Sequence, residues 1–161
     1  MILHVHERLH GLHPRHAFLR WRDEIVRRAA AIPLVRDVRE RNRAATETRL
    51  RRELEWALVV DLPLMARALV PPDALSFALA EEWDEETLAC SWSLRSLGLP
   101  EGAASARGAM RFADTGLLVD GEVTIDPASV PPVARGTTPA LEQAIARAIE
   151  RGYRELARTL R

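Results

Sequence analysis

The sequence contains no lysine, a single cysteine and no excess of charge of either sign. Its 23 basic residues are all Arg and are matched by 23 Asp and Glu, so the formal net charge at pH 7 is zero. Without a global positive field nothing steers a polyanion to the surface, and nucleic acid is not an expected partner. The lone Cys90 excludes an internal disulfide and a cysteine-based metal cluster. It reads as a small core residue in a reducing compartment, which makes the cytoplasm the expected location. A long apolar run is also missing. The most apolar window, Trp56 to Val70, is broken by Asp61, Pro63 and Arg67 and is too short to span a bilayer. The opening segment carries His4, His6, Glu7 and Arg8 and lacks the apolar core of a signal peptide. Internal repeats, low-complexity tracts, a nucleophile elbow, a phosphate-binding glycine loop and an HExxH pair are absent as well. What is present is a chain of 161 residues, the length of one domain with a full core, and residues 1–161 are read as one.

Two stretches organise it. From Leu117 to Ile125 apolar or glycine positions (Leu117, Val119, Gly121, Val123, Ile125) alternate with Leu118, Asp120, Glu122 and Thr124, the period of a strand with one buried face. From Thr138 to Arg161, Leu141, Ile145, Ala148, Ile149, Gly152, Leu156 and Leu160 recur at spacings of three and four, which predicts a long amphipathic helix with Thr138 as N-cap and Pro139 in the first turn. The helix stripe is the natural cover for the strand face.

Upstream, Ile2 to Leu9 reads as a strand and Pro14 to Ala31 as a helix with Phe18, Trp21, Ile25 and Ala29 along one side, ended by Pro33. Between Val35 and Val60 the pattern fits either period. Leu50, Leu54, Ala57 and Leu58 suit a helix, whereas Leu50, Leu54, Trp56, Leu58 and Val60 share one strand parity. Paired strands, Val35 to Asn42 with Thr46 to Val60, are the expectation because sheet-like segments follow. Leu62 to Leu69 reads as a short helix or turn. Phe77, Leu79, Glu81 and Trp83 face Leu88, Cys90, Trp92 and Leu94 across the turn Asp84 to Thr87. A second hairpin runs from Ala106 to Ile125 through Asp114, Thr115 and Gly116, with Gly108, Met110 and Phe112 on its inward face.

All five histidines fall between His4 and His16. His4 and His6 share a strand face, as a metal-binding pair would, but no third and fourth ligands sit in a recognisable motif, so a solvated face is the preferred reading and no metal is assigned. The basic side of the first helix leaves peripheral contact with an acidic lipid surface open, although most such faces are merely solvated.

The order strand, helix, meander, long C-terminal helix resembles the START-like (SRPBCC) superfamily, the helix-grip fold of polyketide cyclases, aromatases and lipid-transfer proteins. More narrowly, Asp61, Leu62 and Pro63, then Ala66 to Val70, Phe77 to Trp83, and Ser91, Trp92 and Ser93 look like an uncharacterised bacterial family within it. So do Gly108 to Phe112 and Leu118 to Ile125. The resemblance covers nearly the whole chain. The Arg-rich segment after Pro33 and the pair Pro131 and Pro132 depart from the pattern. It implies an α+β fold with a curved antiparallel sheet wrapped around the C-terminal helix, and a cavity between them for a lipid or other small hydrophobic ligand, with no cofactor.

On that reading Trp56, Phe77, Glu81, Trp83, Trp92, Met110, Phe112, Gly121, Ile145, Ile149 and Gly152 line the cavity or fill it. Gly108, Gly121 and Gly152 fall on inward positions, where a missing side chain leaves either room for a ligand or space for close backbone packing, the latter preferred. Arg52 and Glu81 also have inward parity. Unpaired burial of a charge is costly, so they pair, bind a head group, or sit at the cavity mouth, the mouth being preferred. No catalytic residue is assigned. Glu81 is the first to test if the protein is instead a cyclase- or dehydratase-type enzyme. A third reading is an interaction protein that dimerises without a ligand, and both monomer and homodimer are compatible with the sequence.

Overall fold

The computed structural model describes residues 1–59, 76–129 and 132–160; the short helix expected at 62–69 lies outside them. Seven strands form one antiparallel sheet: β1 (Ile2–Glu7), β2 (Val35–Ala45), β3 (Arg49–Leu58), β4 (Ser76–Asp84), β5 (Ala89–Ser96), β6 (Ala104–Ala113) and β7 (Gly116–Ile125). Their order is β1-β7-β6-β5-β4-β3-β2, so the first strand of the chain pairs with the last and the rest form a meander. Helix α1 (Pro14–Ala29) and helix α2 (Thr138–Thr159) lie on one face of the curved sheet.

The ambiguous stretch folds as strands because β3 is paired on both sides, by β2 and by β4. Leu50, Arg52, Leu54 and Trp56 are buried while the residues between them are more exposed. That alternation satisfies the period-2 pattern and leaves no backbone polar groups for a helix to claim. β2 carries two register irregularities, between Val35 and Asp37 and between Glu40 and Asn42. These bulges explain why its own alternation is hard to read.

Helix α2 begins one residue earlier than the sequence pattern indicates. A 3-10 segment, Pro132–Thr137, feeds directly into it, so Thr137 is the N-cap and Thr138 is buried in the first turn. The cap residue has helix-like dihedrals (φ −94°, ψ −4°) in place of the extended ones a side-chain cap uses.

α2 is anchored to the edge of the sheet by its carboxylates. Glu142 accepts from the backbone N–H of Ile125 at 3.0 Å, and Glu150 accepts from that of His4 at 3.3 Å. The N-terminal ammonium donates to the Val123 carbonyl at 2.8 Å. At the other end, Arg20 of α1 donates to the Leu160 carbonyl at 2.8 Å and Arg28 to the Thr159 carbonyl. Cations placed on the last carbonyls answer the negative end of the helix dipole.

α1 shares the sheet face with α2. Phe18 packs edge-on against Trp83 of β4 and Phe112 of β6, and Trp21 against Phe112. The roof therefore has two parts: α1 fills the ends of β4 and β6 with aromatic rings, and α2 covers the remainder.

Candidate functional site

Between α2 and the middle of the sheet lies a cavity of about 70 Å³, partly open to solvent. Its floor comes from Trp56 and Leu58 of β3, Leu79 and Glu81 of β4, and Trp92 and Leu94 of β5. Its walls are Trp21 and Ile25 of α1 with Leu34 and Val35, and its roof is Ala148, Ile149, Gly152, Tyr153 and Leu156 of α2. The lining is apolar apart from Glu81 and the polar tips of the indoles and Tyr153, the composition of a small-molecule site.

The one carboxylate is fixed by the sheet register. Arg52 of β3 lies directly opposite Glu81 of β4. The arginine donates from Nε to Glu81 Oε2 at 2.5 Å, and Trp83 Nε1 donates to the same oxygen at 2.9 Å. Arg52 Nη1 reaches the Arg22 carbonyl at 2.5 Å, and the guanidinium lies 5.5 Å from the centroid of the Trp83 ring. Side-chain exposures of 1% and 4% place this ion pair inside the core. The preferred expectation of two charges at the mouth is thus corrected. Two inward residues in register across neighbouring strands neutralise each other, and Arg52 packs behind Glu81 without lining the cavity.

The glycines divide into two kinds. Gly108 and Gly121 face each other across β6 and β7, and Trp92 on β5 lies opposite Gly108. A Cβ at Gly108 would sit 2.1 Å from the Asp120 carbonyl oxygen and 2.6 Å from the Trp92 ring; one at Gly121 would sit 2.8 Å from that ring. Here the missing side chains make room for the indole and the adjoining backbone, leaving none for a ligand. At Gly152 the nearest atom to an added Cβ is Leu34 Cδ2, at an ordinary 3.5 Å. That glycine leaves the roof thin.

Three polar groups of the lining stand apart from the bonding of the core. Trp56 Nε1 and Trp92 Nε1 are buried with no hydrogen-bond partner among the described residues, a situation that costs about 1–3 kcal/mol for each donor. Tyr153 stacks on Trp21 at 5.9 Å and tilts against Trp92 at 6.0 Å. Burial first, and the nearby negative charge of Glu81 second, hold its hydroxyl well above the usual tyrosine range, so it stays protonated as a donor. Burial likewise pushes the Cys90 thiol far up, with Glu81 adding to the effect. Cys90 is a core residue with no thiolate character.

Of the residues singled out from sequence, Trp56, Glu81, Trp92, Ile149 and Gly152 line the cavity. Phe77 and Ile145 line a separate, much smaller pocket beside Leu58 and Leu94. Trp83, Met110 and Phe112 do not reach it. All three are buried in the core, and α1 rings cover Trp83 and Phe112. Gly121 lies beneath Trp92. The sequence reading did not assign Trp21, Ile25, Leu34 and Tyr153 to the site. The signal for Tyr153 was its spacing, four residues after Ile149 and three before Leu156; for Trp21 and Ile25 it was the apolar side of α1, which was read but not placed over the sheet.

His4 and His6 take different partners, His4 Nδ1 lying 2.5 Å from Asp120 Oδ1 and His6 Nε2 lying 3.2 Å from the Thr115 carbonyl oxygen. Among the described residues no three His, Cys, Asp or Glu side chains converge as metal ligands, and no helix is long and apolar enough to cross a membrane. Two wider troughs, of about 460 and 550 Å³, run over the opposite face of the sheet among Ala80, Ser91, Ser93, Ser105 and flanking Arg and Glu side chains. They are lined by charged and small polar side chains, and the apolar space lies under α2.

No protein-family model matches the chain, and no curated protein matches it at a significant level. Solved structures do. The protein TTHA0849 from Thermus thermophilus superimposes with a TM-score of 0.67 at 14% identity, covering 98% of this chain and 95% of that one. The Zhui aromatase/cyclase from Streptomyces sp. R1128 does so with a TM-score of 0.58 at 9% identity, covering 98% and 90%. At these identities the likeness establishes the architecture: the chain has the helix-grip, START-like fold.

Proposed function

We propose that this helix-grip protein binds a small hydrophobic molecule between its sheet and α2. The observation that carries the reading is the apolar cavity roofed at Gly152, where the helix presents no side chain to the space below. At about 70 Å³ the space is roughly half the ~150 Å³ that admits a benzene ring in an engineered cavity. Even a compact ring compound is therefore accommodated only when α2 moves outward, and a long acyl chain fits less well still. Native mass spectrometry of the purified protein should show a bound small molecule that is lost from the Gly152→Leu variant. A folded Gly152→Leu protein that retains the same ligand would place the site elsewhere.

A cyclase-type reaction is the second reading, favoured by one feature: Glu81 and the protonated Tyr153 line the same cavity. A carboxylate and a phenol on one substrate can act as base and acid toward a carbonyl or enol. On this reading Glu81→Gln retains binding and loses turnover, whereas a pure binding protein shows no turnover in either form.

A further inference from the structure

The polar groups of the residues that line the cavity are unbalanced in a way that bears on the ligand. Among the described residues its one carboxylate, Glu81, accepts from Arg52 and Trp83 at Oε2. Trp83 hands its indole N–H to that carboxylate, whereas the indole N–H groups of Trp56 and Trp92, buried in the cavity lining, have no acceptor among the described residues. Trp56 sits opposite Phe77 and Trp92 opposite Glu81, four residues apart along β4, so the two donors come from separate ends of the cavity floor. Tyr153, held protonated by its surroundings, adds a third donor from the roof.

We infer that the ligand is an uncharged ring compound carrying at least one carbonyl-type oxygen, which accepts a hydrogen bond from Trp56 Nε1 or Trp92 Nε1. This rests on the cavity being the binding site. Charge argues for neutrality: among the described residues no cation lines the space, and Arg52 is paired with Glu81, so an anion would be desolvated without a counter-charge. A pure hydrocarbon would fill the cavity and leave the indole donors unpaired. Ordered water is the competing way to satisfy them.

The test uses the intact protein labelled with ¹⁵N at its four tryptophans and a matched pair of probes, acetophenone and ethylbenzene, which differ in one carbonyl oxygen. Acetophenone should bind roughly tenfold more tightly, the value of one net hydrogen bond. It should also move the Trp56 or Trp92 indole proton downfield, with ethylbenzene producing no such shift. Trp56→Phe and Trp92→Phe keep an aromatic ring and remove the N–H. One or both should bring the two affinities together. Equal affinities in the wild type, with neither indole proton shifted by acetophenone, overturn the inference and leave the hydrophobic site standing. Failure of both probes to bind overturns the site and the inference together. The wild-type comparison holds whether or not either variant folds.

Discussion

Trp92 and its two glycines show what a single residue decides in this protein. The indole occupies the space that side chains at Gly108 and Gly121 would need, so Gly121→Ala forces a methyl to 2.8 Å from the ring and 2.7 Å from the Arg107 carbonyl oxygen. Overpacking of this kind costs about 1–3 kcal/mol, visible as a lower urea midpoint. Gly152→Ala should act in the opposite direction. Its added methyl meets only Leu34 at contact distance, and replacing a helix-interior glycine is worth about 0.5–1 kcal/mol. A Gly152→Ala protein that is less stable than wild type would show that the roof is packed more closely than its geometry indicates. The inward parity of all three glycines was legible from alternation and helical spacing. What lies opposite each was not, because cross-strand neighbours depend on register. The same holds for Arg52 and Glu81: their inward parity is a local property, but their pairing follows from β3 and β4 aligning with those two residues directly opposite.

At the scale of elements, α2 is held by side chains from far along the chain. Arg20 and Arg28 are the basic side of an amphipathic α1, and in the fold they bond the terminal carbonyls of α2. Arg28→Ala should therefore loosen the last turn of α2, lowering hydrogen-exchange protection at Ala157 and Leu160 and costing about 0.3–1 kcal/mol, more at low salt than at high. Unchanged protection there would mean the carbonyls are as well served by solvent. That the first helix has a basic side was readable, but the contact of Arg20 and Arg28 with the far terminus needed the packing of α1 beside α2. The N-cap shift from Thr138 to Thr137 has a related origin: the preceding 3-10 segment sets the entry angle, and the run Gly136, Thr137, Thr138, Pro139 offers two equivalent starting points.

For the whole molecule, two groups with strongly displaced protonation, the buried Cys90 and the half-buried Tyr153, couple stability to alkaline pH. The folded-state pKa values of Tyr153 and Cys90 are raised above their ordinary values of 10.0 and 9.0. Each contributes stability that is fully present below the unfolded value and lost as pH rises through the folded one, because the unfolded chain releases the proton first. Stability should therefore decline from about pH 9 upward, each group adding at most about 1.4 kcal/mol per pH unit. Urea unfolding at stepped pH measures the slope, and Tyr153→Phe and Cys90→Ala should each flatten it. The chain has one tyrosine, so tyrosinate absorbance reports it alone and should appear together with unfolding.

Local periodicity determined most of the architecture, because burial of one face imposes a period of 2 on a strand and 3.6 on a helix wherever it occurs. The strands flanking both hairpins and the final helix follow from that, while the α+β class was what the family resemblance implied. The extent of the cavity was decided only by tertiary packing. Parity states that Trp56, Trp83, Trp92, Met110 and Phe112 face inward, but not which of them meet another helix. α1 descends onto the β4 and β6 aromatics and fills that half of the interior, so among the described residues the larger apolar space lies where α2 passes over the sheet at Gly152. Volume is a property of how separate elements fit together, and no local spacing encodes it.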